Sequence, residues 1–178
     1  MMYSAEHLYL DDGKAIGFIK PYRNGYSFVA LLPNEDISLS DYAASMTGKS
    51  FADTIKNAED VPVEAAMPKF SYDYDIEMSG ALKALGMSLP FDPEKAVFSA
   101  LGYYESGNIF ISRVLHKAYI TVDEKGTKAG AATAADIKAT SDTGGLYSVT
   151  LDRPFVYAVI DDACGLPVFI GAVTDIGK

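Results

Sequence analysis

Few side chains in this sequence have the type and spacing needed for covalent chemistry. It holds two histidines, His7 and His116, and one cysteine, Cys164. A catalytic nucleophile needs a base within hydrogen-bond reach and a third group to orient that base. No Ser, His and Asp occur in an order that suggests such a set. The sequence also lacks a phosphate-cradling glycine loop and any Cys/His spacing of the kind that holds zinc. Its aspartates and glutamates are scattered. The reading is therefore of a non-enzyme, with no catalytic residue, no metal ligand and no cofactor. His116 stands in the apolar run IFISRVLHKAYITV, where a single histidine is more often a hydrogen-bonded core residue than a base. Cys164, in the turn-like stretch DDACGLP, has no partner for an intrachain disulfide and is read as a bystander thiol.

Another stretch differs in texture from the rest. From Ala129 to Ala135 the sequence is almost all small residues, followed shortly by the polar, glycine-containing SDTGG. This composition predicts an exposed loop.

The elements that must hold such a loop are mostly strands. HLYL, AIGFIKPY and YSFVALLP read as consecutive antiparallel strands, with RNG as a hairpin turn and the third strand buried on both faces. Ser38 and Asp41 mark the start of a helix through SDYAASMTG, stopped at Gly48, and FADTIKNAED reads as a second helix. VPVEAAMPKFSYDY is expected to give two short strands with a bend, since Pro62 and Pro68 restrict ladder pairing. Ser79 opens a short helix ended by Gly86. Ile109 to Val122 is predicted as one long strand, with Phe110, Val114, His116, Ala118, Ile120 and Val122 on one face. The apolar runs PFVYAVI and LPVFIGAV are expected to form a buried C-terminal hairpin. Strands outnumber helices, which predicts an α+β fold with mainly antiparallel sheets and a few short helices.

The 178 residues are 49% hydrophobic and 22% charged, ordinary usage for one compact domain. A net charge of -9 without any Lys/Arg cluster would repel phosphates and anionic lipid, so neither nucleic acid nor membrane is expected as a partner. No apolar run reaches membrane-spanning length. The opening MMYSAEHLYLDD lacks the basic and apolar regions of a signal peptide.

Three stretches in order resemble the serpin family: HKAYITVDEKGTKAGAATA, VTLDRPFVYAV and LPVFIGAV. The first carries the family's strand, an acidic Glu124, then Gly126, Thr127 and an alanine-rich hinge. The second fits the family signature at Asp152, Arg153, Pro154 and Phe155, whose role is structural. Similarity extends upstream through SFVALLPNE, VEAAMPKFSYDYD, LKALGM and PFDPEKAVFSAL. The resemblance thus covers residues 1–178 as a partial serpin domain, the C-terminal half of a serpin-like fold, with the reactive loop at about 124–150. Most helices and several strands of the large central sheet have no counterpart. Family members include secreted and intracellular proteins, and a secreted location is favoured by the resemblance alone.

The resemblance implies a serine protease inhibitor that acts as a suicide substrate. A target protease cleaves the loop, which then inserts as a strand into the central sheet; serpin loop insertion is itself a known instance of strand addition. Insertion requires the inward alternate positions to be free of charge. Counting from Thr127, the inward set is Thr127, Ala129, Ala131, Thr133, Ala135 and Ile137; the charges Lys128, Asp136 and Lys138 all fall outward. Burying one unpaired ion costs several kcal/mol, against about 0.5 to 1.5 kcal/mol net for a new ladder hydrogen bond. One inward lysine would therefore offset several bonds. The implied hinge comprises Glu124, Gly126, Thr127, Ala129, Ala131 and Thr133. His116 would lie near the top of the central sheet, where gating is the alternative to a purely structural role. Family spacing from Gly126 places the scissile bond at Thr140–Ser141, whereas spacing back from Pro154 points nearer Thr143. Ala139 or Thr140 would suit an elastase-like protease and Lys138 a trypsin-like one. The other expected partner is an N-terminal serpin half or, without it, a second copy through exposed sheet edges. The competing reading is a non-inhibitory serpin-like binding or structural module, or an inactive fragment.

Overall fold

The structure, a computed structural model, describes residues 1–124, 126–127 and 147–176. In chain order the elements are β1 (Met2–Asp11), β2 (Ala15–Pro21), β3 (Tyr26–Pro33), α1 (Leu39–Ser45), α2 (Gly48–Lys56), β4 (Glu59–Met67) and β5 (Phe70–Glu77). There follow α3 (Ser79–Ala84), a 3-10 turn (Leu89–Phe91), β6 (Leu115–Asp123), β7 (Gly126–Thr127), β8 (Tyr147–Thr150), β9 (Phe155–Asp161) and β10 (Pro167–Val173). They group into two units, Met1–Phe70 with Thr121–Lys178, and Ser71–Ile120.

The first unit is built on a seven-stranded sheet of order β10-β9-β3-β2-β1-β4-β8. Every pairing in it is antiparallel except β4 with β8, which is parallel. As the nearly all-apolar run YSFVALLP predicts, β3 is buried on both faces. One face of the sheet packs Leu10, Ile19, Val29, Leu31, Val156, Ala158 and Ile160 against Tyr42 of α1 and Phe51 of α2. On the other face Tyr157 stacks near Phe28 and Phe169, and Phe70 meets Phe155 edge-on at 5.9 Å. Phe18, Phe28 and Phe155 are fully buried, each contributing on the order of 1.5 to 3 kcal/mol by area removed from water. The hairpin between β1 and β2 docks α1: Tyr42 donates its hydroxyl hydrogen to Asp12 at 2.7 Å. Burial, and then this bond to the carboxylate, push the Tyr42 phenol far above its ordinary range.

Three expectations are corrected. Gly48 does not end the first helix; it is the first residue of α2. Thr47 caps α2 in a reciprocal capping box with Ser50, so the chain restarts a helix one residue after Met46 closes the previous one. The C-terminal hairpin is buried along β9, but in β10 only Val173 is buried. Strand β10 is the sheet edge, and its Val168 and Ile170 are exposed. The long strand predicted from Ile109 begins only at Leu115. Upstream of it the backbone groups are engaged locally: Ile111 N–H donates to the Pro90 carbonyl, Val114 N–H donates to Ser79 Oγ, and the Val114 carbonyl accepts from Met78 N–H. Those groups cannot also serve a ladder. Phe110 and Val114 therefore lie outside the strand.

In the second unit, α3 ends as predicted at Gly86, whose φ of +98° suits a residue without a Cβ. Strand β5 and the first part of β6 lie side by side, with Lys117 bridging to Asp75 at 2.5 Å.

Two glycines permit close strand contacts. A Cβ on Gly17 would overlap the Ala30 carbonyl oxygen of the neighbouring strand, and one on Gly171 would lie 2.5 Å from the Tyr157 hydroxyl oxygen. In urea titrations Gly171→Ala is expected to cost about 1 to 3 kcal/mol, and Gly17→Ala more, because the obstructing atom is backbone and cannot rotate away.

Candidate functional site

The site predicted from sequence is the loop between β6 and β8 and the residues that anchor its ends. At the leading end β6 closes with Ile120 and Val122 buried and Asp123 half-buried. The chain turns at Glu124 and comes back as β7, which pairs antiparallel with β6, Val122 opposite Thr127 and Asp123 opposite Gly126. Glu124 forms an ion pair with Lys69, which sits in the bend between β4 and β5. The Lys69 ammonium, first, and then the Glu124 backbone N–H hold this carboxyl below the ordinary glutamate range.

At the trailing end β8 runs parallel to β4, Val63 opposite Tyr147 and Ala65 opposite Val149. Tyr147 lays its ring on buried Tyr9, with centroids 4.3 Å apart. Leu151 N–H continues the pairing by donating to the Ala66 carbonyl at 2.8 Å. The signature residues come next. Arg153 donates from Nε and Nη2 to the Pro33 carbonyl at 3.2 and 2.9 Å, closing the end of β3, while its Nη1 donates to Asp152 at 3.3 Å. Pro154 precedes β9, and Phe155 is fully buried at its start. These four residues anchor the chain and assemble no reactive group.

Of the sequence-predicted hinge, the structure places Glu124, Gly126 and Thr127. Ala129, Ala131 and Thr133, together with the scissile pair Thr140 and Ser141, lie outside the described residues. His116 is on β6 but exposed, which corrects the reading of a core histidine: the β6 face it shares by alternation with Ala118, Ile120 and Val122 is buried only toward the Asp123 end. Among the described residues no group of three or more His, Cys, Asp or Glu side chains could hold a metal ion. Sequence reasoning missed Lys69, which no local spacing links to Glu124, and missed the Pro33 carbonyl as the target of Arg153.

The family model described as Serpin (serine protease inhibitor) matches residues 1–176. The chain belongs to the serpin family. Among curated serpins, Serpin-Z2B of Triticum aestivum is 30% identical over 98% of this chain and 46% of its own length. Intracellular coagulation inhibitor 2 of Tachypleus tridentatus is 28% identical over 84% of this chain and 36% of its own. The crystal structure of the thermophilic serpin tengpin in its native state superposes with a TM-score of 0.86 at 51% identity, covering 98% of this chain and 45% of tengpin. This serpin chain thus spans less than half the length of the relatives it matches, and its α+β architecture is that of a partial serpin fold.

Two outcomes test the anchors. Because the folded pKa of Glu124 is depressed, its contribution is present above the ordinary glutamate pKa and lost as pH falls through the lower folded value. Hydrogen exchange at the Gly126 and Thr127 amides is expected to accelerate across that acidic interval once intrinsic rates are divided out, and Glu124→Gln is expected to abolish the inflection. Arg153→Lys, which keeps the charge but loses the planar fork, is expected to cost about 1 to 2 kcal/mol in urea unfolding.

Proposed function

We propose that this chain is the reactive-loop portion of a serine protease inhibitor that works as a suicide substrate, and that it is not itself an enzyme. Membership of the serpin family supports protease inhibition in general terms. The observation that carries the finer reading is the β6–β7 register. The first residues after Glu124 already pair antiparallel with β6, as the first step of strand addition would require. Continued in the same register, Ala129 would face Ile120, Ala131 would face Ala118 and Thr133 would face His116. These are small uncharged positions against a β6 face that carries Ile120 and Val122. Glu124, Gly126, Thr127, Ala129, Ala131 and Thr133 then form the hinge, and His116 marks how far along β6 insertion must run.

In this reading the protease serine attacks the carbonyl of the scissile bond near Thr140–Ser141. An ester to the enzyme forms and the peptide C–N bond breaks, releasing the new amine on the trailing side. Insertion of the leading side beside β6 then displaces the esterified enzyme before water can hydrolyse it. The small polar residues at the cut favour an elastase-like target, and Lys138 makes a trypsin-like one the second choice.

The short span of the chain supports a further requirement. Strand β7 pairs with β6 over only two residues, and the second wall of the insertion slot has to come from an N-terminal serpin half. Without that half the chain would act as an inactive fragment or self-associate through its sheet edges. The Tachypleus relative is named intracellular, so secretion does not follow from family membership.

The test is to mix the chain, alone and with an upstream serpin half supplied as a second chain, with elastase-like and trypsin-like proteases. An SDS-stable covalent complex with the elastase-like enzyme is expected only in the presence of both halves, and Ala129→Lys is expected to convert trapping into simple cleavage. Cleavage without trapping in every combination would favour the non-inhibitory or inactive-fragment reading. Mass spectrometry showing a cut after Lys138 would sink the elastase assignment.

A further inference from the structure

The turn between β2 and β3 runs through Tyr22, Arg23, Asn24 and Gly25, closed by the Tyr22 N–H donating to the Tyr26 carbonyl at 2.7 Å. Gly25 has a φ of +76°, and Arg23, Asn24 and Gly25 are all exposed. The Gly25 carbonyl accepts the Asp162 N–H at 2.9 Å, so this turn is tied to the turn between β9 and β10. We infer that Asn24–Gly25 is a site of spontaneous covalent modification, in which the asparagine is converted through a cyclic imide to an aspartyl or isoaspartyl residue.

The chemistry balances without a co-reactant other than water. The Gly25 backbone nitrogen attacks Cγ of Asn24, the N–Cγ bond forms, the Cγ–Nδ2 bond breaks, and ammonia leaves carrying the proton lost by the amide. Water then opens the imide at either carbonyl. Opening at the backbone carbonyl leaves the chain running through the former side chain, one carbon longer.

The four asparagines of the sequence differ in the residue on their C-terminal side and in the hydrogen bonds their groups already make. After Asn108 the attacking nitrogen would be that of Ile109, but it donates to Asn108 Oδ1 at 3.0 Å, while Asn108 Nδ2 donates to the Ala96 carbonyl at 2.8 Å. After Asn57 the nitrogen is that of Ala58, which carries a Cβ and donates to the Ile55 carbonyl. Asn34 is followed by Glu35, and its Nδ2 lies 3.4 Å from the Gly13 carbonyl. Asn24 alone precedes a glycine, whose missing side chain leaves the nitrogen accessible. Among the described residues neither the Asn24 side chain nor the Gly25 N–H makes a hydrogen bond. The isoaspartyl product lengthens the backbone next to the carbonyl that holds Asp162, so the modification also loosens the link between the two turns.

The experiment ages the chain in mildly alkaline buffer and labels it with an isoaspartyl carboxyl methyltransferase as reagent, beside a short peptide of the same Tyr22–Tyr26 sequence. The expected result is a mass gain of about 1 Da and methyl label confined to the fragment containing Asn24. Both are expected to vanish in Asn24→Gln, and the Asp162 amide is expected to exchange faster in aged protein than in fresh. Label arising at another asparagine, or none in the folded chain after the free peptide has fully reacted, would overturn the inference.

Discussion

Backbone N–H and C=O groups removed from water must find partners, and in this molecule that requirement decides which strands are core and which remain open. Strands β3 and β9 have a neighbour on each side and are almost entirely buried. Among the described residues strand β10 has a neighbour on one side only, and its Val168 and Ile170 are exposed. The same requirement acts on β6, where β7 supplies two residues of strand pairing and is, among the described residues, the last strand on that side of the sheet. An edge of this kind both accepts a strand and invites the wrong one. The proposed loop insertion is the controlled use of that property.

The two ends of the loop are held by different physics. At the trailing end β8 is stitched to β4, Tyr147 rests on a buried ring, and Arg153 grips a backbone carbonyl with a planar fork. These contacts are geometric and weakly sensitive to salt or pH. The leading end depends on a short antiparallel return and on an ion pair whose side chains are 56% and 61% exposed. Exposed pairs contribute little because solvent screens them. The leading end is therefore held by the weaker contacts, as the proposed hinge would require.

Family membership and short length pull in different directions. The fold agrees closely with the matching part of a solved serpin, so the elements present are those of the family. The proposed trapping needs a strand to enter between two others, of which β6 is the one identified among the described residues. The proposed function is accordingly one of complementation, in which the chain contributes the loop, its anchors and one wall.

The sequence by itself determined the local elements and the family. Alternation marks β1, apolar runs joined by a turn mark β2 and β3, Gly86 marks the end of α3, and the run from Glu124 through the alanines to Asp152, Arg153, Pro154 and Phe155 identifies a serpin, because each of these signals is short-range along the chain. Tertiary structure decided what depends on neighbours distant in sequence. It started β6 only at Leu115, because Pro90, Met78 and Ser79 engage the backbone upstream. It left Val168 and Ile170 of β10 exposed, with no strand beyond β10 among the described residues, and it left His116 in solvent on an uncovered part of β6. Lys69 as partner of Glu124, and the Pro33 carbonyl as target of Arg153, were illegible for the same reason. Periodicity reports which face a side chain takes, whereas burial and pairing depend on what the folded chain brings against that face.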